Sequence, residues 1–342
     1  MSTLFRIIAA HAVAVGVAWS PASPIAWQDA SNARFGRWFD PVAEFGPYPG
    51  SGDRARVLYL PPLDGNSMAP FAQWPGLADR GFNVRALALD LSSAAIGGDH
   101  AGLVRAVSDE AAGLAAAAAP PLVLLGESMG GVTALAVALE LAARGEARAL
   151  AGVVTVNPAT SFPMTDLPDV ARRMSAMPDP LFRAASAWIF ATRVTDAGQL
   201  GAIARTIFVD NPLNDPSRCP PALKAYFDGA IPAFAEGLAP PRPFYEARLA
   251  SLGAAAAAVN EQLDGGGARA DALLPPVLNI AGTADRLVGS RAEAARLEPL
   301  LRPRYSSHFV EGAGHSGTLD DRIDLGAVLD DWLDTSAATV AQ

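Results

Sequence analysis

Short apolar runs recur along the chain at Ala55–Leu60, Val84–Leu89, Leu122–Leu125, Gly152–Val156, Val277–Ala281 and Tyr305–Val310. Each has the length of a strand, and Leu122–Leu125 reads as a strand buried in a parallel sheet. Between most of these runs the apolar positions shift to three- and four-residue spacing, as in Met68–Arg80, Leu103–Ala117 and Ser290–Leu301, which predicts helices. Strands alternating with helices imply right-handed crossovers. The expected fold class is therefore α/β, with a mostly parallel, doubly wound sheet. The rhythm stops between Pro158 and Pro275, a stretch rich in helix formers and aromatics. It reads as a helical cap over residues 158–275, closed by Gly265–Gly267, inserted into a core made of residues 35–157 and 276–336. Residues 337–342 form a tail, and no internal repeat is visible.

The first 34 residues stand apart from this pattern. Arg6 precedes an apolar stretch, Ile7–Trp19, that is followed by Ser20-Pro21-Ala22-Ser23-Pro24. The stretch is too short to span a bilayer and has the character of a signal h-region or the front of an organelle-targeting leader. The other reading is a disordered or surface-packed amino terminus.

Composition narrows the function. With 51% hydrophobic residues over 342 positions, the chain can bury a full core and carry an insertion. A net charge of -9 and a single lysine, Lys224, exclude nucleic acid as a partner, because phosphate neutralisation needs clustered cations. The lone cysteine, Cys219, excludes an intrachain disulfide and a cysteine metal site. The four histidines, His11, His100, His308 and His315, are too scattered for zinc, so neither a metal nor a cofactor is expected.

The most specific signal is Gly126-Glu127-Ser128-Met129-Gly130, set between the strand Leu122–Leu125 and a helix. That helix keeps Val132, Leu135, Ala136 and Leu139 at helical spacing and closes at Arg144-Gly145. A G-x-S-x-G turn in this context is a nucleophile elbow, so tight that the residues two before and two after the serine must lack bulk. The plainer reading is a glycine turn with an ordinary serine. A serine hydroxyl is a poor nucleophile unless a base takes its proton and an acid orients that base. His315, in the loop after Tyr305–Val310, is the candidate base; His308 lies inside that strand and reads as structural. Asp285, after Val277–Ala281, is the candidate acid and completes the chain order Ser, Asp, His. The plainer reading of Asp285 is a helix N-cap, and Asp210 is the alternative acid.

Acyl chemistry also needs backbone donors for a tetrahedral oxyanion. The N–H of Met129 is one candidate, and the loop Pro61-Pro62-Leu63-Asp64-Gly65 supplies the other. Proline has no N–H, which leaves Leu63, with Asp64 behind it. Within the cap, Phe162, Trp188 and Phe190 are candidates to line an acyl groove, against the plainer reading that cap aromatics form the cap's own core.

Five stretches together resemble the esterase/lipase/thioesterase family that includes plant phytyl ester synthases with diacylglycerol acyltransferase activity. They are Arg37-Trp38-Phe39-Asp40-Pro41, Leu60–Gly65, the elbow Gly126–Gly130, Asn157-Pro158-Ala159-Thr160-Ser161-Phe162, and His315 followed by Leu319–Leu325. The likeness spans about residues 35 to 335. It implies an α/β-hydrolase fold with an inserted helical cap and a Ser128–His315–Asp285 triad. It also implies an acyl donor such as a galactolipid, an acyl-CoA or an acyl-carrier protein, and an alcohol acceptor such as phytol or diacylglycerol. Peripheral membrane contact and a plastid location follow from the same likeness, with a secreted or endomembrane route as the alternative. Two features depart from the family. Its oxyanion loop usually reads Pro-Gly where this chain has Pro61-Pro62. The plant enzymes also carry an acyltransferase-like region with a His-x-x-x-x-Asp motif. His315 and Asp320 share that spacing, but no phosphate-binding sequence follows. Two further functions stay open: an ordinary carboxylesterase, lipase or thioesterase that releases free acid, and a noncatalytic binding protein of the same fold.

Overall fold

The computed structural model describes residues 35–46, 54–92, 98–116, 120–195, 198–199, 220–237, 241–265, 274–319 and 322–340. The leader expected over residues 1–34, and Asp210, Cys219 and Asp320, lie outside them. In chain order the described elements are β1 (Gly36–Phe39), α1 (Pro41–Phe45), β2 (Ala55–Leu60), α2 (Trp74–Asp79), β3 (Phe82–Leu89), α3 (His100–Ala116), β4 (Leu122–Glu127), α4 (Met129–Ala143), β5 (Gly152–Val156), α5 (Leu167–Ser175), α6 (Asp179–Ile189), α7 (Pro221–Gly237), α8 (Arg242–Gly265), β6 (Val277–Gly282), α9 (Ser290–Leu301), β7 (Tyr305–Val310) and α10 (Leu325–Val340). Short 3-10 turns span Ala147–Ala149 and Ala159–Met164, and a π-helical turn spans Phe190–Val194.

The strands form one sheet in the order β1-β3-β2-β4-β5-β6-β7. β1 runs antiparallel to β3, and every other pair is parallel. Six strands match the apolar runs, with β3, β4 and β6 longer than the runs alone indicate. β1 has no such forerunner, because four residues show no period; its ladder from Gly36↔Leu89 to Phe39↔Ala86 fixes it. The helix expected over Met68–Arg80 begins only at Trp74, since Pro75 is tolerated in a first turn and not in a helix interior.

Alternate residues of a strand face opposite sides, and the core divides accordingly. Leu58, Leu124 and Val153 join one cluster with residues of α3, α4, α8 and α9. Val57, Leu125, Val154 and Ile280 join the other with residues of α1, α2, α7 and α10. β4, β5 and β6 are buried along their whole length, so the sheet's centre is a fixed platform. Each Val, Leu or Ile side chain buried this way is worth about 1.5–3 kcal/mol.

Between β5 and β6 the described elements are all helices or helical turns, and the insertion does more than cover the sheet. α8 packs along α4 and α3 in the first layer, with Leu252, Ala256, Val259 and Leu263 turned inward. α7 joins the second cluster through Tyr226, Phe227 and Phe234, and the Tyr226 hydroxyl donates to the Phe71 carbonyl at 2.8 Å. Among the described residues no helix is long and apolar enough to cross a membrane.

Candidate active site

Ser128 directly follows β4 and has φ 56° and ψ −116°. A non-glycine residue with positive φ is strained, and here the neighbouring glycines make the turn feasible. A Cβ on Gly126 would lie 2.1 Å from the Gly130 carbonyl oxygen, and one on Gly130 would lie 2.1 Å from that of Leu60. The turn is pinned from both sides: the Ser128 N–H donates to Val156 O (2.9 Å), and the Ser128 carbonyl accepts from Gly131 and Ala159.

The ends of three parallel strands, β4, β6 and β7, bring the predicted residues together. His315, in the loop after β7, places Nε2 2.8 Å from Ser128 Oγ and Nδ1 2.9 Å from Oδ2 of Asp285, in the loop after β6. A carboxylate only accepts, so Nδ1 carries the hydrogen and Nε2 presents its lone pair to the serine hydroxyl. Burial pushes the Asp285 carboxyl up, but the His315 charge and the hydrogen bonds from His315, Ser290 and the Leu287 N–H outweigh it and hold it below its ordinary value. Burial pulls the imidazole down, yet the Asp285 carboxylate, aided by Glu127, holds it above its ordinary 6.5. The helix-cap reading of Asp285 fails, because the N-cap of α9 is Gly289, without a side-chain cap bond. Oδ1 of Asp285 accepts the N–H groups of Leu287 (2.7 Å) and Val288 (3.3 Å) ahead of α9, while Oδ2 faces the imidazole. His308 is exposed on β7 and takes no part.

The loop after β2 closes against the elbow, since the space a Gly130 side chain would need is filled by Leu60 O and Pro61 O. Among the described residues neither the Leu63 nor the Met129 N–H has a hydrogen-bond acceptor. The aromatic candidates fare differently. Phe162 is packed in the core cluster with Ala159, Met129 and residues of α8. Trp188 is 56% exposed on α6, at the surface rather than in a groove. Phe190 opens the π-helical turn, and its side chain lies outside the described residues.

Sequence reasoning gave no role to three residues around this site. Asn157, after β5, has φ 45° and is fully buried. Its Nδ2 donates to Gly314 O (3.2 Å) and to His315 O, and its Oδ1 accepts the Gly282 N–H (2.7 Å). Glu127, beneath the imidazole, accepts from Thr318 Oγ1 (2.9 Å) and Tyr59 OH (3.3 Å), and burial raises its pKa. Arg248 of α8 donates to Pro62 O and Leu63 O. Asn157 and Glu127 sit inside stretches that carry the family likeness, and Arg248 left a different signal, a charge at the four-residue spacing of Phe244 and Leu252. The cap also reaches the histidine loop, where the Ser316 N–H donates to Val194 O at 3.0 Å.

A parallel sheet that carries serine on a G-x-S-x-G turn, then a carboxylate and an imidazole in that chain order, is the pattern of the α/β-hydrolases. The model of the Alpha/beta hydrolase family matches residues 49–325, and the chain belongs to that family. Among solved structures it is similar to a carboxylesterase of the ammonia-oxidizing thaumarchaeon Nitrososphaera gargenis, at 15% identity over 89% of this chain and 95% of that one, with a TM-score of 0.51. It is also similar to a thermophilic esterase from Thermogutta terrifontis, at 17% identity over 88% and 93% of the two chains, TM-score 0.48. A monoacylglycerol lipase from Paleococcus ferrophilus shares 16% identity over 84% and 96%, TM-score 0.45. At these identities the likeness is one of fold. No curated protein matches the sequence. The family match supports the α/β-hydrolases as a whole and gives no confirmation of the narrower phytyl ester synthase likeness.

Proposed function

We propose that this protein is a serine esterase that cleaves acyl esters, lipid esters in particular, through an acyl-enzyme on Ser128. The observation that carries this reading is the continuous relay of Ser128 Oγ, His315 and Asp285 at 2.8 Å and 2.9 Å. Ser128 Oγ attacks the acyl carbon while His315 Nε2 takes its proton, and Asp285 stabilises the imidazolium that forms. The N–H groups of Met129 and Leu63 receive the oxyanion. The C–O bond to the alcohol then breaks, and His315 returns the proton to the leaving oxygen. Water, deprotonated by His315, attacks the acyl-enzyme, and the acid leaves with Ser128 restored.

One observation favours a second reading, transfer of the acyl group to an alcohol. Ser128 and His315 are only 7% and 3% exposed, so water has little access to the acyl-enzyme. An acceptor such as phytol or diacylglycerol would then take the acyl group from a galactolipid, acyl-CoA or acyl-carrier-protein donor. Supplying an acyl donor with and without each alcohol separates the two: new ester supports transfer, and free acid alone supports hydrolysis. The plastid location belongs to this second reading and is checked by tagging the protein with and without residues 1–34.

A serine-reactive fluorophosphonate tests the common step. It should label the wild-type protein and fail on Ser128→Ala. Labelling that persists would remove Ser128 as nucleophile, and a wild-type protein that neither labels nor turns over any ester would be a binding protein.

A further inference from the structure

We propose that Arg248 is a positioning residue that locks the Pro62–Leu63 peptide so that the Leu63 N–H faces the oxyanion. The inference rests on the esterase reading and deepens it. Arg248 is the one charged member of the buried stripe of α8, between Phe244 and Leu252, and is 2% exposed. An isolated guanidinium in such a place is costly unless its N–H groups are bonded. Nη2 donates to Pro62 O at 3.0 Å, and Nε to Leu63 O at 3.3 Å. Pro62 O also accepts the Gly65 N–H at 3.0 Å, which closes the turn. The loop lies directly against α8, because a Cβ on Gly65 would come within 2.8 Å of the Phe244 ring.

The consequence follows from peptide geometry. In a trans peptide the C=O and the N–H point in opposite directions. Drawing Pro62 O toward α8 therefore turns the Leu63 N–H away from α8, and holding Leu63 O does the same for the Asp64 N–H. A flipped 62–63 peptide would put a carbonyl where the oxyanion forms. Neither Pro61 nor Pro62 has an N–H to replace the lost donor. The charged bonds from Arg248 hold the peptide against that flip, since hydrogen bonds to an ionised donor are the stronger kind. The titratable groups facing Arg248 are Asp64, whose charge attracts the guanidinium, and His100, and each also has a hydrogen bond of its own. Asp64 accepts the Asn66 N–H (3.0 Å), and His100 Nε2 is 3.1 Å from Thr133 Oγ1.

The test uses the full chain, p-nitrophenyl butyrate as substrate, and a pair of inhibitors, a trifluoromethyl ketone that adds Ser128 as an oxyanion and the methyl ketone of the same length. Arg248→Met should lower kcat by about a hundredfold, the loss typical of one oxyanion donor, with KM little changed. Affinity for the trifluoromethyl ketone should fall by the same factor while affinity for the methyl ketone does not, a split that mere loss of stability would not produce. Arg248→Lys should restore part of kcat, because an ammonium can reach one of the two carbonyls. If the methionine variant does not fold, the lysine variant carries the same comparison. A folded variant with wild-type kcat, or one that changes only KM, overturns the proposal. A wild-type protein whose turnover survives Ser128→Ala would instead overturn the esterase reading beneath it.

Discussion

Two neighbouring strands, β4 and β5, end in turns that share a strain and use it differently. Ser128 and Asn157 are the two non-glycine residues of positive φ among those described, at 56° and 45°. Such backbone costs on the order of 1–3 kcal/mol and persists only where the surroundings over-determine it. At Ser128 the strain lifts a hydroxyl above the sheet, toward His315. At Asn157 it turns a side-chain amide into the gap between β5, β6 and the histidine loop, where the amide bonds Gly282, Gly314 and His315. One turn offers the proposed nucleophile, and the other holds its hydrogen-bond partner in reach. The second role is invisible in any list of catalytic residue types, yet the first depends on it.

The comparison breaks most decisively at the serine. Ser128→Ala should lower ester turnover by about a millionfold and leave the melting temperature intact, as in serine proteases that lose their nucleophile. Retained turnover would reduce the elbow to a structural turn. Asp285→Asn should cost about ten-thousandfold in kcat, because the imidazole loses the partner that fixes its tautomer. The pH profile sharpens the same point. Only the neutral imidazole accepts the serine proton, and Asp285 holds the His315 pKa above 6.5. The acid limb of kcat/KM should therefore fall away above pH 6.5 in the wild type and move to lower pH in the asparagine variant. A limb that stays in place would show that another group titrates.

The asparagine turn is tested by two substitutions with opposite backbone effects. Asn157→Ala keeps the left-handed strain and loses the bonds, whereas Asn157→Gly relieves the strain and loses the same bonds. Both should lower kcat by about ten- to a hundredfold through misplacement of His315. The glycine variant should be about 1–2 kcal/mol more stable than the alanine variant in urea unfolding. A glycine variant with full activity would mean that backbone shape alone, without the amide, positions the loop. The smallest effect belongs to the cap surface. Trp188→Ala should change stability by less than about 0.5 kcal/mol, as for other exposed positions, and a larger loss in thermal melting would show that the ring is packed.

Asp285 illustrates what a sequence shows and what it leaves open. The spacing offers a helix cap or a catalytic acid as alternatives, and the structure gives the cap position to Gly289, while Asp285 ties the turn at Leu287 through Oδ1 and faces the imidazole through Oδ2. Phe162 illustrates the converse, since an aromatic at a suggestive place is spent on the core. The insertion was legible as helical, but not the layer that α7 and α8 would each join. Helical periodicity states that a face is apolar and says nothing of which apolar face receives it.

The sequence by itself determined the alternation of strand and helix, the glycines that let the elbow form, and the serine, acid and base in their order. Each of these is written in neighbouring residues or in a spacing the backbone must obey. Tertiary structure alone decided that β1 joins the sheet edge, that Asn157 clamps the histidine loop, and that Arg248 reaches the carbonyls of residues 62 and 63. Those contacts join residues far apart in the chain, and their geometry exists only once the two faces of the sheet have been covered.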